Sequence, residues 1–223
     1  MASKKNKKKI QRNFNIVLVL FAFIFISVVI QQVTQIQTHD KTGTPVQPTV
    51  NSDVEKYTPI LRQELEKVDL EEYTVVLAAI MEQESRGKGG DPMQSSESAG
   101  LAPNSINDPH QSIKQGVKHF QNTLAYGNKR QVDFQTIIQA YNMGLGYIDF
   151  VAEKGGTHSE TIAKEFSAIQ VDKNPKLYNC GGDQNNFRYP YCYGDFTYTT
   201  KVTKNINTLI ASNPDLPSFS LGL

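Results

Sequence analysis

The sequence predicts a mainly α-helical domain, and three observations carry that expectation. Apolar residues recur at three-to-four spacing from Tyr57 onward, helix-start signals stand ahead of several of those faces, and strand-like alternation is scarce. The first face is Ile60, Leu61, Leu65 and Val68, followed by a denser apolar run from Tyr73 to Met81. Asp108-Pro109 sets a capping residue before proline at the first helical position; Ile113, Val117, Phe120 and Leu124 then form one face that ends before Gly127. Asp133 opens a segment with Ile137, Ile138 and Tyr141 that stops near Gly144. Thr157-His158-Ser159-Glu160 fits a capping box ahead of Ile162, Phe166 and Ile169, and Asp195 starts a last segment through Val202, Ile206 and Ile210. Two irregular stretches, 86–107 and 171–194, interrupt the helices. Long loops in a compact domain often carry function, and both contain polar and aromatic residues.

The segment ahead of the domain has its own pattern. Lys4, Lys5, Lys7, Lys8, Lys9 and Arg12 fall in the first twelve residues, which hold no acid. The 17 basic side chains that remain face 22 acidic ones, so the rest of the chain carries about −5 beneath a formal total of +1. That sign argues against nucleic acid as a partner. The basic cluster runs into an uncharged apolar stretch, Phe14 to Ile30, whose 17 residues make roughly 26 Å of helix, at the short end of a bilayer span. The positive-inside rule keeps the lysines in the cytoplasm and sends everything after Ile30 outside. The expected organisation is a cytoplasmic tail over 1–13, a single-pass signal-anchor over 14–32, a flexible Gln/Thr/Pro-rich linker over 33–55, the helical domain over 56–214 and a tail over 215–223. A cleaved signal peptide, giving a secreted protein, is the alternative. No small-x-small cleavage site follows Ile30, and either reading places the domain outside the cytosol.

In that exported part, Cys180 and Cys192 stand twelve positions apart. An oxidising compartment favours a disulfide between them, closing a Gly/Asn/Tyr-rich loop with little core of its own; two free thiols are the alternative. No histidine stands at ligand spacing near either cysteine, and His39, His110, His119 and His158 form no ligand pair. Neither a metal nor another cofactor is expected. Gly87 to Gly90 lacks the ending of a phosphate-binding loop and reads as a flexible turn.

The chemistry is expected at Glu84. The apolar run Val75 to Met81 leads straight into Glu82-Gln83-Glu84-Ser85 and the Gly-rich break. A carboxyl at the end of a buried helix, where the chain opens into a cleft, is desolvated and stays protonated, as a general acid for a glycosidic oxygen must be. By local pattern alone, the favoured reading of Glu82 and Glu84 is as solvated residues of a last helical turn. The order of motifs shifts that balance: Glu84-Ser85, then Met93-Gln94-Ser95-Ser96, then Ala140-Tyr141-Asn142-Met143-Gly144. This series resembles the goose-type lysozyme and lytic transglycosylase superfamily over roughly residues 55–212. The variant Asp91 to Ser98 is most similar to lysozyme-like muramidase domains of Gram-positive bacteria.

The resemblance implies a lysozyme-like fold and a membrane-anchored peptidoglycan glycosidase that cuts between N-acetylmuramic acid and N-acetylglucosamine, for local wall remodelling. Its partners would be glycan strands, with cell-wall or secretion complex proteins beside them. Carried over by position, Glu84 is the catalytic acid, Ser85 orients the site, Gln94 and Ser95 line the cleft, and Tyr141 and Asn142 contact the sugar or support the acid. Tyr193 stands where related domains carry an aromatic residue beside the cleft. Met143 departs from the alanine usual in the Ala-Tyr-Asn-Ala-Gly segment and fits if its side chain enters the core. Asp91-Pro92 departs from a small or apolar pair and brings a second carboxylate near the site. Inverting hydrolysis needs such a base about 6.5–9.5 Å from the acid, and Asp91 and Glu97 are the candidates. Assistance by the substrate's acetamido group, or attack by the muramyl 6-hydroxyl to give anhydro ends, are the other routes. A non-catalytic glycan-binding scaffold is the rival class. A wall peptidase lacks support, because neither cysteine has an apolar helix and paired histidine.

Overall fold

In a computed structural model of the chain, the described residues are 52–213. The expected cytoplasmic tail, signal-anchor and most of the linker lie outside them, as does the C-terminal tail. The described residues form seven α-helices and no strand. These are α1 (Ser52–Glu66), α2 (Thr74–Glu84), α3 (Pro109–Arg130), α4 (Phe134–Met143), α5 (Leu145–Ala152), α6 (Glu160–Lys173) and α7 (Tyr198–Ser212). None of them is long and apolar enough to cross a membrane.

The apolar run at 75–81 becomes the centre of the domain. Every residue of α2 from Thr74 to Met81 is buried, and the helix packs against α1 and α7. A helix that is apolar on all sides belongs inside a fold, where neighbours cover each face. Leu61 and Leu65 from α1, Phe120 from α3, Ile137 and Ile138 from α4, and Val202 and Ile206 from α7 complete this first core cluster. A second, smaller cluster joins Ala140 and Met143 at the end of α4 to Tyr147, Ile148 and Val151 of α5, Phe166 of α6 and Phe196. Met143 is thus a core residue, which accounts for its departure from the usual alanine.

Several helix ends differ from the sequence pattern. α1 starts at Ser52, inside the expected linker, and Val54 is fully buried on the same face as Leu61 and Leu65. One valine among polar neighbours gives no period to detect. α3 does not end before Gly127 but runs to Arg130, because Gly127 is the point where Ile137 packs against the helix: a Cβ there would lie 2.4 Å from Ile137 Cγ1. α6 begins at Glu160 with Ser159, not Thr157, as its cap; Ser159 Oγ accepts from the Ile162 N–H at 3.2 Å. The His158 N–H is held instead by Asp133 Oδ2, the carboxylate whose other oxygen caps α4. Asp195 lies three residues ahead of α7, with Oδ1 taking the Thr197 N–H and hydroxyl. α5, which no sequence signal marks, begins directly after Gly144.

Candidate active site

α2 delivers Glu84 as its last helical residue, partly exposed beyond a fully buried stem. Ser85 then donates its hydroxyl to the Pro92 carbonyl at 2.7 Å, tying the following loop to the helix end. Within the glycine-rich turn between them, Gly87 is held closely against the start of α1 while Gly89 is exposed. Gly87 is buried at φ +72°, and a Cβ there would lie 2.8 Å from the Asp53 carbonyl carbon at the start of α1. Only glycine combines that left-handed backbone with so close an approach.

Asp91 organises the loop. Its Oδ1 accepts from the Ser95 N–H (2.9 Å), the Ser95 hydroxyl (3.2 Å) and the Ser112 hydroxyl (2.6 Å). Oδ2 accepts from the Ser96 N–H at 3.0 Å and from the Ser96 hydroxyl. Burial alone would raise the pKa of this carboxyl, which is 3% exposed, but the hydroxyl and backbone donors outweigh it and hold the group below the usual carboxylate range. Ser95 is buried as well, its hydroxyl also reaching the Ser112 carbonyl at 2.9 Å. Gln94, at a left-handed φ of 45°, is exposed and donates its side-chain amide to the Asp91 backbone carbonyl and to Asn104 Oδ1, both at 3.0 Å.

Across from the loop, Tyr198 of α7 donates its hydroxyl to Glu84 Oε1 at 2.6 Å. Burial pushes the Glu84 pKa from 4.5 up to about 7. The Tyr198 hydroxyl opposes that rise by favouring the charged form, while the negative charges of Asp91, Asp195 and Glu97 add to it. The partial negative charge at the end of a helix acts in the same direction as these carboxylates. Tyr198 and Tyr141 are themselves buried and keep their protons, their phenol pKa values raised well above the ordinary range.

A cavity of about 480 Å³ opens in front of Glu84, lined also by Gln94, Glu97, Ser98, His119, Tyr141, Asn142, Tyr178 and Tyr193. Asn142 Oδ1 accepts from the Asp195 N–H at 2.7 Å, and the Tyr193 hydroxyl donates to the Met143 carbonyl at 2.9 Å, so the end of α4 fixes the far wall. His119 Nε2 sits 3.0 Å from the Tyr141 carbonyl; burial, partly offset by that hydrogen bond, holds its pKa down and keeps the ring neutral. Cys180 and Cys192 are joined in a disulfide. The residues just outside it, Tyr178 and Tyr193, meet edge to face at 4.8 Å.

Of the residues singled out from the sequence, the structure brings Glu84, Glu97, Gln94, Tyr141, Asn142 and Tyr193 to this one cavity. Ser85, Asp91 and Ser95 support it from behind through the bonds described above. Sequence patterns do not single out Ser98, His119, Tyr178 or the Glu84 partner Tyr198. Tyr178 carries a signal in its place beside a bridged cysteine. Tyr198 carries none, because its role depends on a helix 114 positions away. Among the described residues, no group of three His, Cys, Asp or Glu is placed to hold a metal ion.

Residues 51–206 match the family description "Lysozyme-like". The chain belongs to the lysozyme-like family. This lysozyme-like chain is 57% identical over 153 residues to the uncharacterized membrane protein YocA of Bacillus subtilis, covering 69% of this chain and 68% of that one. It is 34% identical over 170 residues to pneumococcal vaccine antigen A of Streptococcus pneumoniae, covering 70% of this chain and 82% of that protein. A third relative is the bifunctional muramidase/DL-endopeptidase CwlT of Bacillus subtilis, 37% identical over 121 residues; the match covers 54% of this chain but only 36% of CwlT. Among solved structures, a Staphylococcus aureus protein described as similar to an NLP/P60-family lipoprotein superposes with a TM-score of 0.60 at 33% identity, over 71% of this chain and 54% of that one.

Proposed function

We propose that the domain is a peptidoglycan glycosidase that hydrolyses the β-1,4 bond between N-acetylmuramic acid and N-acetylglucosamine. The observation that carries this reading is Glu84: a carboxyl with a pKa near 7, held by Tyr198 at the edge of an open cavity. A group of that pKa is protonated in a large fraction of molecules at neutral pH and can give its proton to a leaving oxygen. Glu84 protonates the glycosidic oxygen as its bond to the muramic C1 breaks. A water then forms the new C1–O bond and loses its proton to a base. Asp91 is unsuited to that task because both of its oxygens are engaged by serine donors. Glu97 is exposed, lines the cavity and is the carboxylate we assign as base. Gln94, Asn142, Tyr141 and Tyr193 bound the sugar-binding surface, with Ser85 and Ser95 as its supports. The muramidase named among the relatives supports this choice of bond.

We place the domain on the outer face of the cell membrane, carried by the apolar segment at 14–32 across the linker. The membrane protein YocA among the relatives supports attachment to a membrane, and the outward orientation rests on the lysines ahead of the apolar segment. The test of activity is digestion of peptidoglycan by the full chain in detergent beside its Glu84→Gln variant, with mass analysis of the products. Reducing muramic ends made by the wild type alone are expected. Anhydro ends would replace water by the muramyl 6-hydroxyl and remove the role of Glu97. No product from either folded protein would overturn the glycosidase in favour of a binding scaffold.

A further inference from the structure

A second cavity, of about 510 Å³, lies on the other side of the Glu97–Ala99 turn from the cleft. Its lining comes from the end of α1, from this turn and its following loop, and from one face of α3. The two cavities share a wall. Glu97 and Ser98 line the cleft while Ala99 lines the second cavity, and His119 lines the cleft while the adjacent Lys118 lines the second. Gln115 in the second cavity donates to the Ser98 hydroxyl in the cleft at 3.1 Å, clasping the turn that separates them.

The charge of this cavity runs against that of the domain. Three lysines, Lys67, Lys114 and Lys118, stand around it with one acid, Glu64. Glu64 is taken by Lys67 at 2.5 Å, and among the described residues Lys114 and Lys118 form no ion pair. Two unpaired lysines four apart on a helix face repel each other. An anion between them would relieve that repulsion. The buried Val117 and Ile106 give the cavity an apolar floor. Cations over an apolar floor, with neutral amides between, suit a short peptide bearing free carboxylates better than a bare sugar or an inorganic anion.

We infer that this cavity binds the acidic peptide branch of the wall glycan whose sugar chain lies in the cleft. The branch leaves the muramic residue, so a strand seated beside Glu84 needs only to pass its peptide over the Glu97–Ala99 turn to reach Lys114 and Lys118. The inference rests on the glycan reading of the cleft and adds a requirement: the enzyme recognises peptide-bearing strands in preference to stripped ones.

The test is a binding measurement that needs no turnover. Full-length Glu84→Gln protein in detergent is titrated with a soluble peptidoglycan tetrasaccharide carrying its peptides, and with the same tetrasaccharide after amidase removal of them. The peptide-bearing form is expected to bind roughly tenfold tighter, from two charge pairs at a partly exposed site, with the advantage shrinking as salt rises. Adding Lys114→Gln and Lys118→Gln should erase that difference while affinity for the stripped form stays the same. Equal affinity of the two glycans for the Glu84→Gln protein overturns the peptide site and leaves the cleft intact. Failure of both glycans to bind a protein with an unchanged melting temperature overturns the cleft reading and the peptide site together.

Discussion

The Tyr198 hydroxyl meets Glu84 Oε1 at 2.6 Å, joining two residues 114 positions apart in one acid centre. A donated hydrogen bond favours the carboxylate, yet burial prevails and leaves the Glu84 pKa at about 7. The working form of a general acid is the protonated one, present below that value and lost above it. The kcat/KM for glycan cleavage should therefore fall on a descending limb near pH 7. Tyr198→Phe removes the bond that favours charge, so its limb should move to higher pH. A limb that stays in place would show that Tyr198 does not set the acidity.

The same proton affects stability. Because the folded pKa of Glu84 lies above 4.5, the native state binds the proton more tightly than the unfolded chain does. The stabilisation from this group is complete below pH 4.5 and lost as pH rises to about 7. Glu84→Gln carries no such dependence. Above pH 7 the variant should be more stable than the wild type by up to about 3 kcal/mol, and the gap should shrink steadily toward pH 4. Urea denaturation at pH 8 and pH 4.5 reads the difference directly, and a variant that is less stable at pH 8 contradicts the account.

Asp91 and Glu97 should behave oppositely. Asp91→Asn replaces an ionised acceptor of five hydrogen bonds by an amide that cannot accept at its nitrogen, and should cost about 3 kcal/mol or more in thermal denaturation. A loss of activity with an unchanged melting temperature would instead make Asp91 the base.

Glu97→Gln should leave stability within about 0.5 kcal/mol, since the side chain is exposed. If Glu97 is the base, kcat for formation of reducing ends should fall about 100-fold or more while KM changes little. Unchanged kcat would assign the step to the substrate's own acetamido group.

The bridge between Cys180 and Cys192 should matter more to binding than to chemistry. Tyr178 and Tyr193 flank it and line the cavity, whereas Glu84 stands on α2. Replacing both cysteines by serine should raise KM several-fold with a smaller effect on kcat, and lower stability by up to about 3 kcal/mol. A fall in kcat at constant KM would place the loop in the chemical step instead.

The all-helical fold was legible wherever a helix buries one face. Ile113, Val117, Phe120 and Leu124 repeat at the expected spacing and are all buried. The pattern failed where a residue's role came from elsewhere in the chain. Gly127 carries the form of a helix stop, yet it lies inside α3 to admit Ile137. The capping box at Thr157 had the right residues, but Asp133 holds the His158 N–H and moves the start to Glu160. At the site, three ordered motifs located the cavity, and four of the five bonds that engage Asp91 come from Ser95 and Ser96 close by, while the fifth donor, Ser112, arrives only through folding. Two carboxylates six positions apart thus meet different surroundings, and a donor that arrives through folding leaves no local signature.

A helix with no solvent face cannot fray without opening the core around it. For the buried part of α2, Thr74 to Met81, this means that the amide protons should exchange with solvent only when the whole domain unfolds, while those of the exposed residues in the loops 97–105 and 174–191 should exchange through local opening. Glu84 follows directly on this buried stem, whereas Glu97, Ser98 and Tyr178 of the cavity wall stand on irregular segments. On the proposed glycosidase reading, a change in those loops should alter which glycan binds while leaving the position of the Glu84 carboxyl unchanged.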